Sequence, residues 1–289
     1  MAAITIDESP LVTLASRPAG ATTVRPQTLA TAIRSEWIKF RTLRSTWVGL
    51  GATLAVLVGF AAIAAAVSTG TVTAPAGRGN GGSFGGSGPV STVLLGANFA
   101  VLVMGILGAL AGAREYGSRM IAATVAAVPR RWQVVVSKAA VFTGAALVTS
   151  VVGVFGAFWV GMRVLSGGGA ATVALTDPGV LRQVLGMAAY ISAVGLIGLG
   201  LGILLRSVAG SIGAVVAGFM VLPPLAGALL PSGWDPLLQY LPSSAAASFT
   251  TVQAAGPDVL HAGAGALVLV AWVVVVVGAA IATISRRDV

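Results

Sequence analysis

Six long apolar runs divide this 289-residue chain, and its positive charges fall almost entirely into alternate gaps between them. When the gaps are assigned alternately to the two sides of a membrane, only Arg78, Arg163 and Arg182 fall on one side. The other side collects 14 of the 17 Lys and Arg. Basic segments resist translocation, so loops on the cytoplasmic side retain them. The asymmetry predicts an all-α membrane protein with six transmembrane helices and both termini in the cytoplasm, a multi-pass protein of a bacterial cytoplasmic (inner) membrane. The runs lie near 47–68, 90–113, 137–162, 181–205, 208–230 and 260–284. Each is close to the roughly 20 apolar residues that a helix needs to cross a bilayer. None of the eight acidic residues and no Lys or Arg sits in the middle of a run, where a lone charge costs about 2.5–3.5 kcal/mol.

The balance of residues excludes a soluble domain. Hydrophobic residues make up 56% of the chain and charged residues 9%, with mean hydropathy +0.96, whereas a soluble surface needs about a quarter of all residues charged. The net charge of +9 lies beside apolar spans and forms no separate basic domain. It therefore points to membrane lipids and not to nucleic acid, at roughly 1 kcal/mol for each basic residue near an anionic surface. Cysteine is absent, which removes disulfides, thiolate catalysis and Cys-based metal sites.

Residues 1–26 are Pro-punctuated and lack a long apolar core, so they read as a disordered cytoplasmic tail and not as a signal peptide. Residues 69–89 are Gly/Ser-rich and read as a flexible external loop. Residues 231–257, with Pro231, Trp234, Tyr240, Pro242 and Phe249, are expected on the outer side as short helices along the interface. Asp177-Pro178 suggests an N-cap followed by proline at the first helical position of the fourth span. Only Leu205-Arg206-Ser207-Val208 separates the fourth and fifth spans, so these should be tight antiparallel neighbours. Pro223-Pro224 removes two backbone donors deep in the fifth span and should kink or break it, as a kink packed against a neighbour.

Several motifs carry no chemistry in this setting. Gly77-Arg78-Gly79-Asn80-Gly81-Gly82 has the spacing of a dinucleotide fingerprint, and Gly81-Gly82-Ser83-Phe84-Gly85 that of a nucleophile elbow. Both need a strand before and a helix after, and here there is only a glycine linker. The lysines are followed by Phe40 and Ala139, so no Walker A site exists and no cofactor is expected on this chain. His261 is the sole histidine and cannot by itself form a zinc site. Gly108-x-x-x-Gly112 and Gly198-x-x-x-Gly202 permit close helix approach, but among 39 glycines such spacings arise by chance.

Two stretches are informative. In residues 27–46 and on to Trp47, Leu29, Ile33, Trp37, Phe40 and Trp47 share one helical stripe, while Arg34, Lys39 and Arg41 occupy other sides. This predicts an amphipathic helix at the cytoplasmic interface running into the first span. The 114–133 segment between the second and third spans is charged at both ends, and Ser118 to Val128 can form about three turns of helix ended by Pro129. An apolar helix held in the cytoplasm by flanking charges needs a protein groove to cover it.

These two stretches resemble the permease subunits of the ABC-2 type transporter family. Small bacterial members carry a Glu-x-x-Lys-x-x-x-x-Arg-Ser-like elbow before the first span, matched by Glu36-Trp37-Ile38-Lys39 through Arg44-Ser45-Thr46-Trp47. They also carry Glu-Tyr-x-x-Gly-Thr-like residues, a helix and Pro-x-Arg after the second span. The match here is Glu115-Tyr116-Gly117-Ser118-Arg119 and Pro129-Arg130-Arg131, with the glycine earlier than in the commonest form and Ser118 in the threonine neighbourhood. The resemblance implies a six-span permease domain over 47–289 and an ATPase partner chain that binds ATP and Mg and grips the 114–133 coupling helix. It also implies a second permease copy or paralogue. Glu115, Tyr116, Gly117, Arg119, Pro129, Arg130 and Arg131 would form the ATPase-coupling interface, with Glu36, Trp37, Lys39, Arg41 and Arg44 on the elbow side of it.

The chain is thereby expected to be a non-catalytic subunit. Its polar residues within the spans are Asn98, Thr149, Ser150, Tyr190, Ser192 and Ser211. Of these, Asn98, Thr149, Tyr190 and Ser211 are the candidates for lining a pathway. None is charged at neutral pH, which suits an apolar or amphiphilic cargo such as a drug, peptide or lipid. It disfavours the alternative of an ion-coupled secondary transporter, which places an ionisable residue in the membrane. A non-transporting scaffold or signalling protein is the other alternative.

Overall fold

The computed structural model describes residues 28–72, 88–117, 132–251 and 260–286, and among these it is helical with no strand. Six helical stretches are long and apolar enough to cross a membrane. The helices are α1 (Leu29–Thr42), α2 (Arg44–Ser68), α3 (Pro89–Val93), α4 (Ala97–Gly117), α5 (Trp132–Gly167) and α6 (Val180–Leu205). They continue with α7 (Val208–Val216), α8 (Leu222–Leu229), α9 (Asp235–Leu238), α10 (Pro242–Thr250) and α11 (Ala262–Arg286). The spans are α2, α4, α5, α6, α7 with α8, and α11.

Spans two and four pack backbone to backbone. A Cβ on Gly108 would collide with the Gly195 carbonyl oxygen, one on Gly112 with that of Leu199, and one on Gly198 with that of Gly105. Lipid tails are as apolar as leucine, so helices in a bilayer associate by close packing, which small residues permit. The two Gly-x-x-x-Gly spacings thus face each other within one chain. Gly198 lies against Gly105 and Ala109, and Gly202 against Ala109 and Gly112. The register advances in the same sense, so α4 and α6 are parallel. In the same way Gly153 meets Leu57 and Gly168 meets Thr69, so α2 and α5 are parallel. Parallel packing of alternate spans is what complete crossings require.

The interior is built from Leu57, Met104, Phe142, Ile191 and Leu199, all fully buried. Val148, Val152, Leu267, Val274 and Val275 are exposed, as expected of side chains solvated by hydrocarbon.

Several element boundaries differ from those expected. The second span does not start at 90: α3 ends at Val93, and the helix restarts at Ala97. Arg114–Gly117 continue α4, and Trp132 opens α5, so the 114–133 segment includes helix at both ends. The rest of that segment, with its expected short helix, lies outside the described residues, as do the 1–26 tail and most of the 69–89 loop. At 36 residues, α5 is about 54 Å long, well beyond a hydrocarbon core of roughly 30 Å. Asp177 does not cap the fourth span. Gly179, at φ +83°, occupies that position, and the Asp177 carboxylate instead accepts from the Ala174 backbone N–H at 2.9 Å.

The connection from α6 to α7 is as short as expected. Arg206 takes a left-handed φ of +50°, and Ser207 caps α7 by accepting from Gly210 N–H at 3.2 Å. Pro223-Pro224 do not break the fifth span. A wide π-helical turn over Ala217–Val221 precedes them and helical dihedrals continue into Leu222. A wide turn of this kind re-spaces the carbonyls that two prolines cannot serve. No neighbour covers this region, since Met220, Leu222 and Leu225 are exposed.

The segment from 231 to 251 folds back beside α11. The Trp272 indole N–H donates to the Tyr240 carbonyl at 2.9 Å, and Ala245 and Ser248 press on Gly265. Trp272 lies ten residues into α11, about 15 Å from its start. Tyr240 is therefore well below the end of that span, and α10 climbs from there along α11 and α6. Irregular backbone at such depth survives only when protein partners satisfy it, and the Trp272 indole does so.

Candidate functional site at the basic end of the bundle

Helix α1 starts in a reciprocal cap. Thr28 N–H donates to Thr31 Oγ1 at 3.1 Å, and Thr31 N–H donates to Thr28 Oγ1 at 3.4 Å. The helix does not run into the first span. Leu43 is extended, at φ −83° and ψ 112°, and the chain turns there between α1 and α2. Trp47 is not part of the α1 stripe; its indole N–H donates across the break to the Arg41 carbonyl at 2.9 Å. That bond closes one of the carbonyls orphaned at the end of α1. Trp37 stacks on Phe40 with ring centroids 6.2 Å apart. Trp37 and Ile38 are exposed, so the apolar stripe turns outward and another face meets the bundle.

The buried face carries Ala32 and Glu36. Glu36 is 6% exposed. Its Oε1 accepts from Lys39 Nζ at 2.8 Å, and its Oε2 from Lys138 Nζ at 2.9 Å. The two pairs are unequal. Lys39 is on the same helix and its side chain is 39% exposed, so solvent and salt screen it, and such a pair contributes about 0.2–0.5 kcal/mol. Lys138 lies near the start of α5 and its side chain is 13% exposed. Breaking a buried pair by removing one partner costs about 3–5 kcal/mol, because a charge is left uncompensated. Lys138 is therefore the partner that holds the elbow in place.

A cleft of about 380 Å³ opens beside this pair, walled by Phe40, Leu43, Leu107, Val141 and Phe142. Arg114 also lines it and donates from Nη1 to Ser45 Oγ at 2.8 Å, joining the end of α4 to the start of α2. Elbow and first three spans thus converge on a single polar junction. At the same end the Arg206 guanidinium lies 5.2 Å from the centre of the Tyr116 ring, a cation–π contact joining α4 to the α6–α7 turn.

Of the elbow residues expected at an interface, Glu36 is buried in the junction and Lys39 lines its edge, while Trp37, Arg41 and Arg44 are exposed. Of the coupling residues, Tyr116 is half-buried and Glu115 and Gly117 belong to the last turn of α4. Arg119, Pro129, Arg130 and Arg131 lie outside the described residues. The pathway candidates do not converge. Asn98 is exposed near the start of α4, Thr149 is buried in α5, Tyr190 is half-buried in α6, and the Ser211 hydroxyl donates to the Ser207 carbonyl at 2.8 Å. The parts that sequence reading missed are Lys138 as the partner of Glu36 and Ser45 as that of Arg114. Their only signal was a cation at the start of a long apolar run. Among the described residues, no three His, Asp or Glu side chains come together to hold a metal.

No family model, curated protein or solved structure matches this chain.

Proposed function

We propose that this chain is the permease subunit of an ABC-2 type exporter. It would move an apolar or amphiphilic substrate across a bacterial cytoplasmic membrane, driven by ATP hydrolysis in a separate subunit. The observation that carries this reading is the Glu36–Lys138 pair. It ties an elbow helix, hinged at Leu43, to the start of α5, at the end of the bundle where the 118–131 connection leaves α4. A subunit pressing on that connection would move α4, α5 and the elbow together, because Arg114–Ser45 and Glu36–Lys138 join them. Spans two and four, locked through their glycines, would follow as one body. Two copies are needed to enclose a pathway, which accords with polar span residues that share no cleft within one chain.

The test is recovery of the protein from solubilised membranes by an affinity tag on this chain. A separate nucleotide-binding ATPase should accompany it; transport-competent protein that carries none would overturn the proposal. Within the complex, Glu115→Arg should leave membrane insertion intact and separate ATP hydrolysis from export. Unchanged export would remove Glu115 from the interface.

A further inference from the structure

A second cleft, of about 680 Å³, runs along the side of the bundle between α5, α6 and α11. On α6 it follows Arg182, Leu185, Ala189, Ala193 and Leu196, and Phe249 of α10 helps to floor it. Arg182 stands at one end, near the start of α6 and away from the Glu36–Lys138 junction. From Arg182 to Leu196 the groove spans about 21 Å at 1.5 Å per residue. That is longer than one leaflet's share of the hydrocarbon core, roughly 15 Å.

Below Arg182 the groove has no hydrogen-bonding capacity to offer. The Thr143 hydroxyl donates to the Ala139 carbonyl at 2.6 Å, and the Ser192 hydroxyl to the Ala188 carbonyl at 2.8 Å. The remaining side chains are aliphatic or aromatic. A peptide laid here would leave its backbone unsatisfied in hydrocarbon, whereas an alkyl chain loses nothing. Arg182 is exposed and is in no ion pair among the described residues.

We propose that this groove holds one phospholipid of the leaflet on the Arg182 side, with an acyl chain along α6 and α11 and its phosphate on Arg182. The two parts contribute differently. Moving a tail from surrounding lipid into the groove gains little, because both are equally apolar. Retention therefore rests on the guanidinium, whose planar fork matches phosphate oxygens. The groove's shape decides which chain fits. This site does not depend on the chain being a permease.

Native mass spectrometry of the purified protein in mild detergent tests it. The unmutated chain should carry a phospholipid mass. Arg182→Ala should lower its occupancy roughly tenfold, the effect of losing one charge-assisted hydrogen bond, and Ala189→Trp, which fills the groove, should remove it. Arg163→Ala should keep it, since Arg163 lies over Trp159 on α5 at 5.4 Å and does not line the groove. Delipidated, unmutated protein titrated with phosphatidylglycerol should regain the adduct, while diacylglycerol with the same chains should not bind. A chain purified without phospholipid, equal uptake of the two titrants, or occupancy unchanged in both Arg182→Ala and Ala189→Trp would each overturn the proposal.

Discussion

Glu36 and Lys138 are 102 positions apart in sequence and meet at 2.9 Å. The contact joins an interfacial helix to the third span, and it is the main electrostatic link between the elbow and the bundle. Because Glu36 is almost wholly buried, the pair is protected from the screening that makes surface ion pairs weak.

Replacing Lys138 with Met should lower stability by about 3–5 kcal/mol, since it strands a buried carboxylate. The double variant Glu36→Gln, Lys138→Met should recover most of that loss. Thermal unfolding of the three proteins in one detergent checks this, and equal stabilities for the single and double variants would contradict it.

The glycine contact between α4 and α6 makes a sharper distinction. In Gly198→Ala the new methyl meets the Gly105 carbonyl, and the helices must separate, at about 1–3 kcal/mol or more. Gly144→Ala, where a methyl meets nothing within 4 Å, should be neutral or stabilising by up to about 1 kcal/mol through helix propensity. Monodispersity on size-exclusion chromatography after graded heating separates the two.

Trp272→Phe keeps the ring and removes the donor to the Tyr240 carbonyl. The expected loss is about 1 kcal/mol, concentrated in the segment around α9 and α10. Protease nicking after Tyr240 should quicken in this variant while the rest of the chain stays intact.

The absence of cysteine makes crossings directly measurable. Ser35→Cys in α1 and Ser166→Cys near the end of α5 are both at exposed positions. A membrane-impermeant maleimide should label them from opposite sides of sealed vesicles. Labelling of both from one side would refute the odd number of crossings between them.

Much of this architecture was legible before folding. A span needs only length and apolarity, both local properties, so all six were readable from the chain, and Leu205 to Val208 announced their own tight turn. Boundaries were less so. Hydropathy cannot see that Gly96 lies against the Val56 and Leu57 backbone beside the break before α4, or that Gly179 and not Asp177 caps α6. The elbow was recognisable from its stripe, yet which face it buries was not. Trp37 looked like an anchor against the bundle and turns outward, while the charged Glu36 turns in.

Alone, the sequence determined the solvent of this protein, the number of its spans and the end at which its positive charge collects, because each follows from residues counted along the chain. Only the tertiary structure decided that Glu36 pairs with Lys138 and that two Gly-x-x-x-Gly spacings interlock. It also decided that Tyr240 is carried down beside Trp272. In each case the partner lies on another helix, and the rotation of one helix against the next depends on the packing of all of them.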